Sequence, residues 1–256
     1  MHNRIATIAR YTTLEAVRTH FALLAVVIIA VTVAASFFVR ELAVTESARF
    51  QTAFYAAGVR FAMVFVASLY AIASISREFQ DKGLDVTLAL DLPRSHYIVG
   101  KLVGFLAIAI ALSIFAALPL IAFAGPEGAL QWGASLAFEL AIVVALSLFC
   151  VVTFNTLMPA ASLVFAFYVL ARSLSAIRLM SANPIVDADA PSQHVMSAVV
   201  EGLALVVPAL DRWTQTVWLL GEPPPWSGIA LLAGQSLVFV TVLAAAAVFD
   251  MQRKNF

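Results

Sequence analysis

Charged residues are scarce in this 256-residue chain. Lysine, arginine, aspartate and glutamate make up 12% of it, against about 25% in an average soluble domain. Acidic and basic residues balance at 15 each, which argues against a nucleic-acid partner. The single cysteine, Cys150, excludes an intrachain disulfide. Hydrophobic residues fill 62% of the sequence and the mean hydropathy is +0.97, so we expect the chain to be surrounded by lipid.

The motifs of several catalytic classes are also missing from the sequence. It contains no Ser-His-Asp, paired-carboxylate or H-E-x-x-H constellation. The histidines His20 and His96 lack neighbours at metal-ligand spacing. Gly100-Lys101 is followed by leucine and lacks the preceding glycine of a phosphate-binding loop. We therefore expect a non-catalytic chain without a metal site or a cofactor of its own.

Six apolar runs are long enough to cross about 30 Å of hydrocarbon at about 1.5 Å per residue. Helices are expected, because each backbone N–H must find its acceptor within the segment. The runs occupy residues 21–39, 53–76, 102–124, 132–157, 159–180 and 229–249. The pattern predicts an all-α integral membrane protein, folded as one transmembrane domain over residues 1–256, with six transmembrane helices.

The remaining segments are polar or too short to span a bilayer. Residues 1–20 predict an amphipathic interface helix, with Ile8, Thr12 and Ala16 on its apolar face. Residues 181–228 form a long segment on the other side, in which the apolar piece 195–210 is either re-entrant or a cap. The N-terminus, residues 77–101 and the C-terminus carry nine of the fifteen cations, including all three lysines. This bias predicts that both termini are cytoplasmic.

Residues 77–101 are the most informative segment of the chain. Eight of the thirty charged residues fall in this stretch between the second and third apolar runs. A bare connector needs only a few polar residues, whereas this one carries enough interleaved charge and hydrophobicity for helical turns. The pattern predicts a cytoplasmic helix that presents a binding surface, although solvated inner loops also carry charge runs.

Four motifs in order resemble the type-2 permeases of ABC exporters, the membrane subunits that pair with a separate ATPase. An N-terminal helix precedes the first span, and a basic tail with Arg253 and Lys254 follows the last one. Residues 207–213, Val-Pro-Ala-Leu-Asp-Arg-Trp, are similar to the family's Leu-Pro-Asn-Leu-Asp-Arg-Phe segment, with Ala209 in place of asparagine. The motif after the second span comprises Arg77, Glu78, Gly83, Leu92, Pro93, Arg94, Ser95, Tyr97, Gly100 and Lys101.

The resemblance implies a homodimer of permeases in the inner membrane, driven by ABC ATPase subunits that hold the ATP and magnesium. The loop after the second span would form a coupling helix in a groove of the ATPase, with Gly83 as a hinge or cap and Pro93 ending the helix. The candidate coupling residues are Glu78, Asp81, Lys82, Gly83, Pro93, Arg94, Tyr97 and Lys101. An extracytoplasmic accessory protein is a further possible partner.

Glu139 is a carboxylate inside the fourth apolar run. Such residues are costly in lipid and often functional. Glu139 is therefore a candidate for the translocation path, or for a pair with Arg60 or Arg172, unless it only touches the outer interface. For the two arginines we expect outward snorkelling.

Two other functions stay open from the sequence. A stand-alone secondary transporter would show inverted repeats and central charges, and no clear repeat is present. A membrane anchor or assembly factor is the other. Small residues on the third span, Gly104 among them, would meet either a second copy or another span of the same copy.

Overall fold

The computed structural model describes residues 2–80, 93–182, 191–221 and 223–253. Within these ranges the chain is helical, with nine α-helices, one short 3-10 turn and no strand. The helices are α1 (His2–Arg18), α2 (Phe21–Leu42), α3 (Ser47–Gln80), α4 (Arg94–Ala124), α5 (Pro126–Phe154), α6 (Leu157–Ala182), α7 (Pro191–Val206), α8 (Val217–Leu220) and α9 (Trp226–Arg253), and the 3-10 turn is Leu210–Arg212. Asp81, Lys82, Gly83 and the rest of the predicted coupling helix, residues 81–92, lie outside the described residues.

Six of these helices, α2, α3, α4, α5, α6 and α9, are long and apolar enough to cross a membrane. The prediction of an all-α fold with six membrane-length helices is confirmed, and the chain is a multi-pass membrane protein. Most of the helices run past the predicted limits, as in α4, which begins at Arg94 rather than at 102. Polar turns beyond the apolar run keep their backbone hydrogen bonds, so hydropathy alone underestimates helix length.

The break between α5 and α6 falls earlier than predicted. Asn155 adopts a left-handed conformation (φ 59°) and its N–H donates to the carbonyl of Val151 at 2.9 Å. Helix α5 therefore ends at Phe154, not at 157. Pro159 lies in the first turn of α6, where an N–H has no intrahelical acceptor to lose.

Helix α5 lies at the centre of the bundle. In its most apolar 18-residue window 72% of residues are buried, against 61% in α3 and only 11% and 17% in α2 and α9. Helices α3 and α5 therefore form the protein core, whereas α2 and α9 present their apolar side chains outward. We call the end of the bundle where α3 and α9 finish and α4 begins the terminal end, and the opposite end the distal end.

Helix α1 packs along the first turns of α4. A Cβ on Gly100 would lie 2.8 Å from Cβ of Ile8, and one on Gly104 would lie 2.7 Å from Cβ of Thr12. The contacts advance four residues at a time on both helices, so α1 and α4 run side by side in the same direction. The apolar face predicted for α1 is the face in contact, and Gly104 of the third span meets α1 of the same copy.

The segment after α7 enters the distal half of the bundle. Leu210, Trp213 and Thr214 are buried, and the 3-10 turn packs against α6. Helix α7 itself is largely exposed. Of the piece 195–210, predicted to be either re-entrant or a cap, most of 195–206 is exposed, and the buried residues begin at 207. Val195, Val199 and Leu203 of α7 are exposed, whereas Val200 is buried.

Candidate functional site

Two polar clusters are embedded in this apolar bundle, one at the terminal end and one in the middle. The terminal cluster consists of Glu15, Ser74, Arg77, Glu78, Tyr97 and Lys101. It joins α1, the last turns of α3 and the first turns of α4. These are the two helix ends between which residues 81–92 connect, so the cluster forms the base of the predicted coupling segment.

Lys101 is the centre of the terminal cluster. Its side chain is only 6% exposed, and its ammonium forms an ion pair with Glu78 and lies 3.9 Å from the carboxylate of Glu15. The Tyr97 hydroxyl donates to the other Glu78 oxygen at 2.5 Å. An unpaired buried ammonium is costly, and the carboxylates of Glu78 and Glu15 supply its counter-charge. The cluster thus fixes the end of α3 to the start of α4.

Glu15 brings α1 into the same cluster. The Ser74 hydroxyl donates to it at 3.2 Å, and the Arg77 guanidinium lies 3.5 Å from it. A cleft of about 310 Å³ lies beside these groups. It is lined by Ile8, Tyr11, Thr12, Glu15, Glu78, Tyr97 and Lys101. The N-terminal helix is therefore joined to the base of the coupling segment by charge as well as by packing.

Arg94 joins the start of α4 to the end of α9. Its guanidinium donates to the carbonyl oxygens of Met251 at 3.0 Å and Gln252 at 3.3 Å. These carbonyls lie in the last turn of the described part of α9, where a cation is favourable. Pro93 immediately precedes α4, and its carbonyl accepts the His96 N–H at 2.9 Å. Of the predicted coupling residues, Glu78, Arg94, Tyr97 and Lys101 therefore bind within the chain.

The central cluster surrounds Glu139 on α5. Glu139 is fully buried, about 20 Å along α5 from its first residue at about 1.5 Å per residue. The Tyr168 hydroxyl donates to one carboxylate oxygen at 3.0 Å, and the Thr214 hydroxyl donates to the other. The Arg172 guanidinium lies 3.5 Å from the first oxygen. The predicted pair with Arg172 is present, and Glu139 lies near the middle of α5.

Arg172 and Arg60 hold the backbone of residues 207–214, which we call the inserted segment. One nitrogen of Arg172 donates to the carbonyls of Leu210 at 2.6 Å and Trp213 at 3.0 Å. Arg60 donates to the carbonyl of Thr214 at 3.0 Å. The expected outward snorkelling of both arginines is wrong. Irregular backbone inside the bundle leaves carbonyls without donors, and these carbonyls attract the guanidinium groups inward.

Further bonds complete this attachment. The Thr214 N–H donates to the Ser135 hydroxyl at 2.9 Å, and the Trp213 indole donates to the Ser236 hydroxyl at 3.0 Å. Residues from α3, α5, α6 and α9 thus meet on a single short segment. Sequence reasoning missed Tyr168, Thr214 and the two serines. Pro208, a breaker in an apolar stretch, was the one signal that the backbone there needed partners.

Among the residues described by the structure, no group of three or more histidine, cysteine, aspartate or glutamate side chains could hold a metal ion. The search against family models and the search of the curated proteins both end without a match to this chain.

Proposed function

We propose that this chain is the transmembrane subunit of an ATP-driven ABC exporter, acting as a homodimer with separate ATPase subunits at the terminal end. The observation that carries the proposal is the terminal cluster. The Glu78–Lys101 pair holds together the two helix ends between which residues 81–92 connect. A push on that segment would therefore move α3 and α4 as one unit rather than bending a loose loop.

A push on the coupling segment would also move two further helices. The contact of Glu15 with Lys101 would transmit the movement to α1, and the Arg94 bonds would transmit it to the last turn of α9. Only 17% of the most apolar window of α9 is buried, so little of the bundle resists movement of that helix. In this mechanism Glu78, Arg94, Tyr97 and Lys101 support the coupling segment from within. Contact with the ATPase then belongs to residues such as Asp81, Lys82 and Gly83.

This division of roles leads to a specific prediction for assembly. Reversing both charges in Asp81→Lys/Lys82→Glu should weaken capture of the ATPase about tenfold, a loss of about 1.4 kcal/mol in binding. The tagged chain is purified from its native host membrane, and the co-purified ATPase is quantified by mass spectrometry and by ATP hydrolysis. The matched control reverses an exposed pair at the distal end, Glu46→Lys/Arg49→Glu, which should leave capture unchanged.

Two results would contradict the proposal. If the wild-type chain purifies with no ATPase and its transport continues after ATP depletion, a secondary transporter replaces the exporter. If the wild-type chain captures an ATPase that the Asp81/Lys82 variant captures equally well, the coupling segment is not the interface.

The cargo proposed for this exporter is an amphipathic or lipid-like molecule. Apart from the two polar clusters, the described spans present mostly apolar side chains, which suit such a cargo better than a bare ion. The proposed role of Glu139 in the path requires that residues 207–214 withdraw during transport, because Thr214 and Tyr168 occupy both carboxylate oxygens. Export measured in a Glu139→Gln variant tests that role.

The proposed location of the chain is the inner membrane. In the proposed orientation, the terminal end and both chain termini face the cytoplasm. A cysteine at exposed Val44 should then react with an impermeant maleimide added outside intact cells, and one at Gln252 should not. The experiment uses a Cys150→Ser background, although Cys150 is fully buried. The opposite labelling pattern would invert the orientation.

A further inference from the structure

A second polar cleft lies at the distal end, away from both clusters. Its volume is about 510 Å³, which is the size of small-molecule sites. The cleft lies between the end of α6, the middle of α7 and the 3-10 turn. Its lining consists of Ser175, Arg178, Leu179, Ser181, Ala182, Ser197, Val200, Glu201 and Arg212.

Two exposed arginines dominate the charge of this distal cleft. Arg178 and Arg212 face one carboxylate, Glu201, so the described lining residues carry a surplus of one positive charge. Within the described part of the chain, neither guanidinium has a side-chain hydrogen bond or an ion pair. Guanidinium groups bind phosphate through two parallel hydrogen bonds. The cleft therefore has the donors for a phosphate group.

The position of the cleft along the bundle indicates where that phosphate would come from. Helix α6 has 26 residues, about 39 Å of helix against about 30 Å of hydrocarbon, so its last turns lie at headgroup level. Helix α7 turns Ser197, Val200 and Glu201 toward the cleft. Its opposite face exposes Val195, Met196, Val199, Leu203 and Val206. A helix with those two faces lies on a bilayer surface with its apolar side in the acyl region.

We propose that the distal cleft binds the phosphate group of an anionic phospholipid through Arg178 and Arg212. The inference does not depend on the proposed exporter function. Lipid binding at this cleft would also affect the fold. Arg212 lies between Leu210 and Trp213, and Arg172 donates hydrogen bonds to the carbonyls of both. A lipid bound in the cleft restrains the same inserted segment that reaches Glu139.

Native mass spectrometry of the full chain tests the proposal with two probes, phosphatidylglycerol and phosphatidylcholine. We expect selective retention of phosphatidylglycerol, and an apparent Kd at least about tenfold higher in Arg178→Gln/Arg212→Gln, because two charge-assisted contacts are lost. The control is Arg40→Gln/Arg49→Gln, which removes two exposed arginines at the same end without touching the cleft. Glycerol 1-phosphate is added as a competitor. Competition would indicate a soluble phosphate ligand, and no competition would indicate a lipid whose acyl chains are also needed.

Two results would overturn it. The first is equal retention of phosphatidylglycerol by the Arg178/Arg212 variant and the wild type. The second is equal retention of the two lipids by the wild type. Melting temperatures of all variants, measured without lipid, exclude unfolding as the cause of a loss.

Discussion

Replacing Glu139 by alanine is expected to lower the free energy of unfolding by about 3–5 kcal/mol, the usual cost of removing one partner of a buried ion pair. The Arg172 guanidinium then loses its counter-charge, and the hydroxyls of Tyr168 and Thr214 lose their acceptors. Reversible unfolding in mixed micelles with increasing SDS measures the change. Glu46→Ala, which removes an exposed carboxylate paired with Arg49, should change stability by less than about 0.5 kcal/mol.

A double-mutant cycle separates the ion pair from its surroundings. The coupling energy between Glu139→Ala and Arg172→Met should lie between about 0.5 and 3 kcal/mol, because the two groups are in contact. Arg172→Met should remain destabilising in the Glu139→Ala background, since it also removes the donor to Leu210 and Trp213. A Glu139→Ala variant as stable as the wild type would show that the central cluster is not formed in the membrane.

Gly104→Ala and Gly234→Ala are expected to change stability in opposite directions. The added methyl at Gly104 would lie 2.7 Å from Cβ of Thr12 and 3.0 Å from the carbonyl oxygen of Ala9, so α1 must move, at a cost of about 1–3 kcal/mol. At Gly234 nothing lies within 4 Å of the new methyl. There the better helix propensity of alanine should stabilise by about 0.5–1 kcal/mol.

The same SDS titration measures both glycine variants. Thr12→Gly removes the Cβ and Cγ2 atoms that the new methyl meets, so the Gly104→Ala penalty should shrink in that background. Stabilisation by both substitutions would mean that α1 does not pack against α4. Destabilisation by both would point to a general effect of alanine in these helices rather than to the contact.

The membrane-length helices were predictable because each is a long apolar run, and such a run has one stable conformation in lipid. The pairing of Glu139 with Arg172 was also within reach, since the topology places the two at similar depth. The entry of the inserted segment into the bundle was not predictable from the sequence. The partners of that segment include Ser135 and Ser236, which are far apart in sequence, and each alone is an ordinary residue for its helix. Long-range contacts of this kind leave no periodic trace in the sequence.

The roles of the charged residues near 77–101 were only partly predictable. Their concentration was visible, and Lys101 and Glu78 do form part of a polar cluster. The sequence did not show that Glu15, about sixty residues earlier, joins them, or that Arg94 reaches the last turn of α9. Charge density identifies a functional region, but only the packing of helices distinguishes side chains that bind inward from those left for a partner.

The packing of α1 on α4 also bears on how the protein is made. Thr12 meets Gly104, roughly ninety residues later in the chain. At a synthesis rate of about 5–20 residues per second, α1 waits on the order of 5–20 s before its partner exists. During that interval two spans are already synthesised, and α1 has no helix to cover its apolar face. The membrane surface, or a biosynthetic factor bound there, must shield that face until α4 is inserted.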